Sequence, residues 1–193
     1  MYRTCITNIT QESQIRYTQA LLDLMEEKSY KQITSQDICN KANGSRRSFY
    51  RYFKNKQGCL CALMDQTITN SYAYAANVSI PMVPHLRGIL PTLLYIREHK
   101  EFFDRIIRNG LFELYVERVI VCAKVNGIYA LRWMGADKSP YQEDAYRFYL
   151  SGFTALVKQW HLSGYRRSPE ELAEVIRHFF PTEETENIEH KGE

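Results

Sequence analysis

Apolar residues return every three to four positions along almost the whole 193-residue chain, and no alternating run bounded by hairpin turns interrupts them. The pattern predicts an all-α protein. A first helix is expected over about residues 11 to 28, with Ile15, Leu21, Leu22, Leu24 and Met25 as its apolar stripe. A short second helix opens at Thr34, whose hydroxyl is suited to cap it while Asp37, at the third helical position, favours the positive end of the dipole. It ends near Ala42. Asn43 and Gly44 both tolerate left-handed backbone, and Ser45 then caps a third short helix that stops near Phe53. A fourth helix starts after Asn55 and continues to about Ala76. Pro81, Pro84, Gly88 and Pro91 mark a broken entry to a second region, with helices expected over 86–99, 100–108 and 111–134.

Two short helices across a tight turn, flanked by longer ones, constitute a helix-turn-helix unit. Successive residues of a helix are turned by about 100°. Phe49 and Phe53 therefore point to one side with Tyr52 nearby, Arg47 and Arg51 point nearly opposite, and Tyr50 and Ser48 lie on the flanks. One side is core. The other offers guanidinium forks, a hydroxyl and an aromatic ring, which is the chemistry needed to enter a major groove: arginine pairs bidentately with guanine, and hydroxyls hold phosphates. Lys54 and Lys56 follow at the start of the fourth helix, where an ammonium and free backbone amides both suit a phosphate.

Charge sharpens this picture. The net charge of +3 is unevenly spread: residues 31 to 58 carry seven basic side chains against the single acid Asp37, whereas residues 59 to 193 carry 15 basic and 17 acidic. Such a basic segment is either a polyanion-binding surface or a solvated face, and charge alone does not choose. Composition is that of an ordinary globular protein, with 45% hydrophobic and 24% charged residues and only 15 Gly plus Pro. The purely apolar runs, such as 59–64 and 119–123, are too short to cross a bilayer, and the first ten residues lack the apolar core of a secretory signal, so no membrane association and a cytoplasmic location are expected. Cysteines at 5, 39, 59, 61 and 122 form no CxxC pair, and histidines at 85, 99, 161, 178 and 190 have no paired ligand spacing. Reduced cysteines are expected, with no metal and no cofactor; a redox role for Cys59 and Cys61 stays open because it depends on a depressed thiol pKa. Enzyme signatures such as GxSxG, HExxH, a phosphate loop or a dinucleotide fingerprint are absent from the sequence.

The stretch ITSQDICNKANGSRRSFYRYFKNKQGCL, and above all its SFYRYFKNK core, resembles the DNA-binding segment of the TetR family of bacterial transcriptional regulators, over about residues 11 to 62. Carried over position by position, the resemblance implies that Ser35, Ser48, Tyr52 and Lys56 hold phosphates, that Gln36, Arg46, Arg47 and Tyr50 approach base edges, and that Thr34 caps. Three positions depart from the family pattern: Ser29 and Asn43 stand where glycine is usual, and Gly44 where a valine commonly packs. Asn43 preserves the turn. Gly44 is expected to lose a core contact, at a cost of about 1 kcal/mol or more, and to loosen the recognition helix.

A second stretch, GFTALVKQWHLSGYRRSPEELAEVI, resembles the C-terminal segment of one TetR subgroup, marked by a tryptophan, a glycine four residues on and SPEEL. Independently of that likeness, Ser168, Pro169 and Glu171 suit the cap, first and third positions of a helix start. Upstream, Tyr146, Tyr149, Leu150, Phe153, Leu156, Val157 and Trp160 make one apolar stripe, and downstream Leu172, Val175, Ile176 and Phe179 make another. Gly152 and Ala155 would let a neighbouring helix come close. These stripes pack either inside the domain or against a second copy, and the resemblance favours a four-helix dimer interface. Fifteen aromatic residues lie between Tyr72 and Trp160. Most fill a helical core. The resemblance implies that some of them line an effector pocket, with Tyr95, Phe102, Phe103, Phe112, Tyr115, Tyr129 and Trp133 as candidates.

The expected organisation is a DNA-binding domain over 1–58, a helical ligand-binding and dimerisation domain over 59–180, and a disordered acidic tail over 181–193. The function expected is a homodimeric repressor that leaves a palindromic operator in double-stranded DNA when a small molecule binds. An activator of the same fold, or a helical interaction protein without effector control, are the alternatives.

Overall fold

A computed structural model of the chain describes residues 8–77, 89–126 and 140–178. These form nine α-helices and one 3-10 turn: α1 (Asn8–Glu27), the turn Tyr30–Gln32, α2 (Ser35–Lys41), α3 (Arg46–Tyr52), α4 (Lys56–Asn77), α5 (Ile89–Glu98), α6 (Lys100–Arg108), α7 (Phe112–Asn126), α8 (Gln142–Leu162) and α9 (Pro169–His178). The all-α expectation is met. The expected entry at Pro81, Pro84 and Gly88, the end of the 111–134 helix, Tyr129, Trp133, Phe179 and the acidic tail all lie outside the described residues.

Local chemistry sets the helix ends as the sequence implies. The Thr34 hydroxyl accepts from the Asp37 amide at 3.1 Å, and the Asp37 carboxylate accepts from the Thr34 amide at 2.8 Å, so two otherwise orphaned donors are satisfied reciprocally. Ser168 and Glu171 repeat the device at α9, with Pro169 in the first helical position. Asn43 adopts a left-handed φ of 47° in the turn between α2 and α3. Gly110 closes α6 in the same region at φ 67°, where the amides of Gly110 and Leu111 reach back to Ile107 and Ile106.

The chain divides into two compact units: residues 1–70 with 101–119, and residues 71–100 with 120–193. In the first unit α1 packs on α2 and α2 on α3, with Leu21, Ile38, Phe49, Phe53 and Leu60 fully buried. Three polar clamps tie the later segment to the earlier one. Glu26 receives Arg105 at 3.0 Å and Arg108 at 2.8 Å, the Tyr30 amide donates to the Asn109 side chain at 2.6 Å, and Asp65 holds Arg118 bidentately at 2.7 and 2.5 Å.

In the second unit α5 packs on α9. The stripe expected at a dimer interface is placed as follows. Tyr146, Tyr149, Leu150, Phe153, Val157, Trp160, Leu172 and Ile176 are all buried within the single chain, and only Leu156 and Val175 keep partial exposure. Amphipathicity identifies the face that must be covered, and intrachain packing already covers it. The outward face of α8 instead carries Phe148, Gly152, Ala155 and Leu162, with Phe148 77% and Leu162 65% exposed. The tryptophan, glycine and SPEEL spacing has a local cause. Trp160 donates its indole N–H to the Arg167 carbonyl at 2.9 Å, while Gly164 and Tyr165 turn the chain with φ of 71° and 57°.

Candidate nucleic-acid interface

The third helix is too short to be stable alone, so its orientation is imposed by what it buries. Phe49 and Phe53 are fully buried with their rings 5.2 Å apart, and Tyr52 is 5% exposed beside them. Arg46, Arg47, Tyr50 and Arg51 face solvent. Ser45 caps the helix by accepting from the Ser48 amide at 3.0 Å, and its hydroxyl lies 3.1 Å from that of Ser48. The two hydroxyls thus stand together at the helix's positive end, beside the arginines, as phosphate recognition requires.

The other expected contacts divide clearly. From α2, Ser35 is half-buried, while Gln36 is exposed and donates to Asn40 at 2.8 Å. Thr34 is exposed and occupied in its capping box. Arg51 donates to the Tyr52 hydroxyl at 2.6 Å and lies 4.9 Å from that ring's centre, and Arg46 sits 5.9 Å from the centre of the Tyr50 ring. Arg47 and Lys54 extend into solvent.

Two residues expected to hold phosphates have partners within the chain. The Tyr52 ring is in the core and its hydroxyl already receives Arg51. The Lys56 ammonium turns inward onto the carbonyls of Tyr30 at 2.7 Å and Ile33 at 2.6 Å and lies 4.3 Å from the centre of the Tyr30 ring. Burial holds the Lys56 pKa below the usual lysine range. The carbonyls that capture it lie in the 3-10 turn and at its C-cap Ile33, which helical periodicity did not reveal. Of the basic excess, Lys41 is also committed, pairing with Glu27 at 2.7 Å. The basic side chains left on the outer surface around α3 are Arg46, Arg47, Arg51 and Lys54.

Gly44 is corrected as well. The space expected to be empty there is filled by Tyr17 of α1, which is 1% exposed. A Cβ at position 44 would fall 2.6 and 2.7 Å from carbons of the Tyr17 ring. No lost contact remains to loosen α3.

The described aromatic residues expected to line a pocket fall in both units. Phe102, Phe103, Phe112 and Tyr115 are buried against one another in the first unit, with ring centres 5.1 to 6.3 Å apart. Tyr95 belongs to the second unit, stacked on His99 at 4.0 Å and edge-on to Tyr74. The structure groups Tyr72, which sequence did not single out, with Tyr146 and Tyr149 of the α8 stripe, and Cys122 lies beside the first two. Burial raises the Tyr72 hydroxyl to about 12 and the other two further, and Tyr72 and Tyr146 are hydrogen-bonded. Burial likewise raises the thiols of Cys39, Cys59 and Cys61, against the depressed pKa a redox sensor needs. Among the described residues no group of three or more His, Cys, Asp or Glu is placed to hold a metal, and no helix is long and apolar enough to cross a membrane.

Residues 18–63 match the family model described as bacterial regulatory proteins, tetR family, and residues 86–181 match a transcriptional regulator C-terminal region, together about three quarters of the chain. An uncharacterized HTH-type transcriptional regulator of Bacillus subtilis, YxbF, is 24% identical over 182 residues, covering 86% of this chain and 43% of that protein. The HTH-type dhaKLM operon transcriptional activator DhaS of Lactococcus lactis is 30% identical over 87 residues, 45% of this chain and 44% of DhaS. This chain spans about half the length of the curated relatives it matches. A putative TetR-family regulator from Syntrophomonas wolfei shares the fold with a TM-score of 0.63 at 17% identity, covering 88% of this chain and 93% of that one. A helix-turn-helix with a two-faced second helix, followed by a larger helical region, and matches to both family models lead to one conclusion: the chain belongs to the TetR family of bacterial transcriptional regulators.

Proposed function

We propose that the chain is a homodimeric, cytoplasmic repressor that binds a palindromic operator through residues 1–58 and is released by a small molecule bound within residues 59–180. The observation that carries this reading is α3 itself, with Phe49 and Phe53 sealed inside and Arg46, Arg47 and Tyr50 presented outside. Arg47 reads bases, Arg46 and Tyr50 flank it, and Ser45, Ser48, Arg51 and Lys54 hold phosphates. A single short helix reads few base pairs, so a two-fold dimer on half-sites roughly 34 Å apart supplies the missing contacts.

The dimer face we assign is the outer side of α8. Phe148 and Leu162 supply apolar area there, and Gly152 has open space around it for a partner helix. The phenols Tyr72, Tyr146 and Tyr149 are the polar groups an effector would meet in the second unit. Release requires the effector to prefer the non-binding arrangement; a hundredfold preference is worth about 2.7 kcal/mol. Activation is the second reading, favoured by the similarity to DhaS, which is an activator. Selection of binding sites from a random duplex library by the purified protein tests the proposal. A palindromic consensus, bound far more weakly after Arg47→Ala, supports it; enrichment of no sequence overturns it.

A further inference from the structure

We propose that Tyr17 is the residue that positions the recognition helix, and that Gly44 is a glycine in order to admit it. This rests on the DNA-reading role of α3. The Tyr17 ring enters from α1 beneath the turn and meets Phe49 edge-on at 5.5 Å and Phe53 edge-on at 6.1 Å, with Tyr52 tilted at 6.2 Å. Its hydroxyl passes through the space a side chain at 44 would occupy and donates to the Ser45 carbonyl at 3.0 Å. That carbonyl also accepts the Phe49 amide at 2.9 Å, the first hydrogen bond of α3. One phenol therefore grips the helix at its cap and along its inner face, whereas an aliphatic side chain at 44 offers bulk but no donor. The bond is directional, so it fixes tilt and rotation as well as depth. Burial raises the Tyr17 pKa, and the hydroxyl keeps its proton and donates throughout the physiological range.

Tyr17→Phe keeps the ring and removes only the hydroxyl, with its bond to the Ser45 carbonyl and its hydrogen bond with the Ser48 side chain. Its test uses two duplexes of equal length at one salt concentration: a sequence selected by the parent protein, and a scrambled version. Loss of positioning is expected to weaken binding to the selected duplex at least fivefold while changing binding to the scrambled one less than twofold. Equal loss on both duplexes, or no loss on either, overturns the positioning role.

Size complementarity is tested separately by thermal melting. Gly44→Val alone is expected to melt well below the parent, and adding Tyr17→Leu to recover most of the difference, because the leucine vacates the space the valine needs. If the double variant melts no higher than Gly44→Val, the pairing of 17 with 44 is wrong. A parent that enriches no duplex defeats the DNA-reading role instead, and the melting comparison still decides the pairing.

Discussion

Replacing Asp65 by Asn removes one charge from an enclosed ion pair of the first unit and leaves its partner in place. Both carboxylate oxygens are engaged by Arg118, at 2.7 and 2.5 Å, and the two side chains are 12% and 25% exposed. Charges about 4 Å apart attract by about 4 kcal/mol at an effective dielectric constant near 20. Desolvation of both groups offsets part of this, so a coupling of about 2 kcal/mol is expected. The single variant should lose more, about 2 to 3 kcal/mol, since the Arg118 guanidinium loses a bidentate carboxylate and only a quarter of its side chain reaches water. For a chain of this length that corresponds to a fall in melting temperature of roughly 5 to 10 °C. Urea unfolding of Asp65→Asn, Arg118→Ala and the double variant closes the cycle. If the two single effects simply add, with coupling below about 0.5 kcal/mol, the pair is incidental to stability and the reasoning fails.

Other outcomes follow from the site. Arg47→Ala should cost about 1 to 3 kcal/mol on the selected sequence and relax base preference, measured by titration against single-base variants of that duplex. Lys54→Ala should lower the slope of affinity against salt by about one phosphate contact, whereas Lys56→Ala should leave that slope unchanged and reduce the melting temperature, because its ammonium is bound to carbonyls. Asp37 is held down to about 2, first by Lys28 and then by Thr34. Its contribution is fully present above the ordinary value near 4 and is lost as pH falls toward 2, so Asp37→Asn should flatten the acid arm of the stability curve in that window. Phe148→Lys should shift sedimentation toward the monomer without lowering the melting temperature of the monomer.

What the sequence made legible is what short-range chemistry controls. The caps at Thr34 and Ser168, the left-handed Asn43 and the two faces of α3 each depend on residues within a turn of one another, so spacing alone specified them. The apolar stripe of α8 was equally visible, but periodicity states that a face is covered and not by what; the cover came from the same chain. The intrachain partners of Lys56 left no such sign, because the carbonyls that hold it lie 23 to 26 residues away, in and just after a turn too short to have a period. The Asp65–Arg118 pair joins residues 53 apart, and the filling of Gly44 comes from a helix 27 residues earlier. Neither leaves a mark on local pattern.

The first unit is woven from two separate stretches of chain, with Glu101–Val119 returning to clamp Glu26, Tyr30 and Asp65. No single scissile bond can therefore liberate it whole without carrying residues 71–100 along. A protease cutting after α4 would release the helix-turn-helix stripped of Arg105, Asn109 and Arg118, and a chimera grafting only residues 1–58 onto another regulator would inherit the reading head without the brackets that steady it.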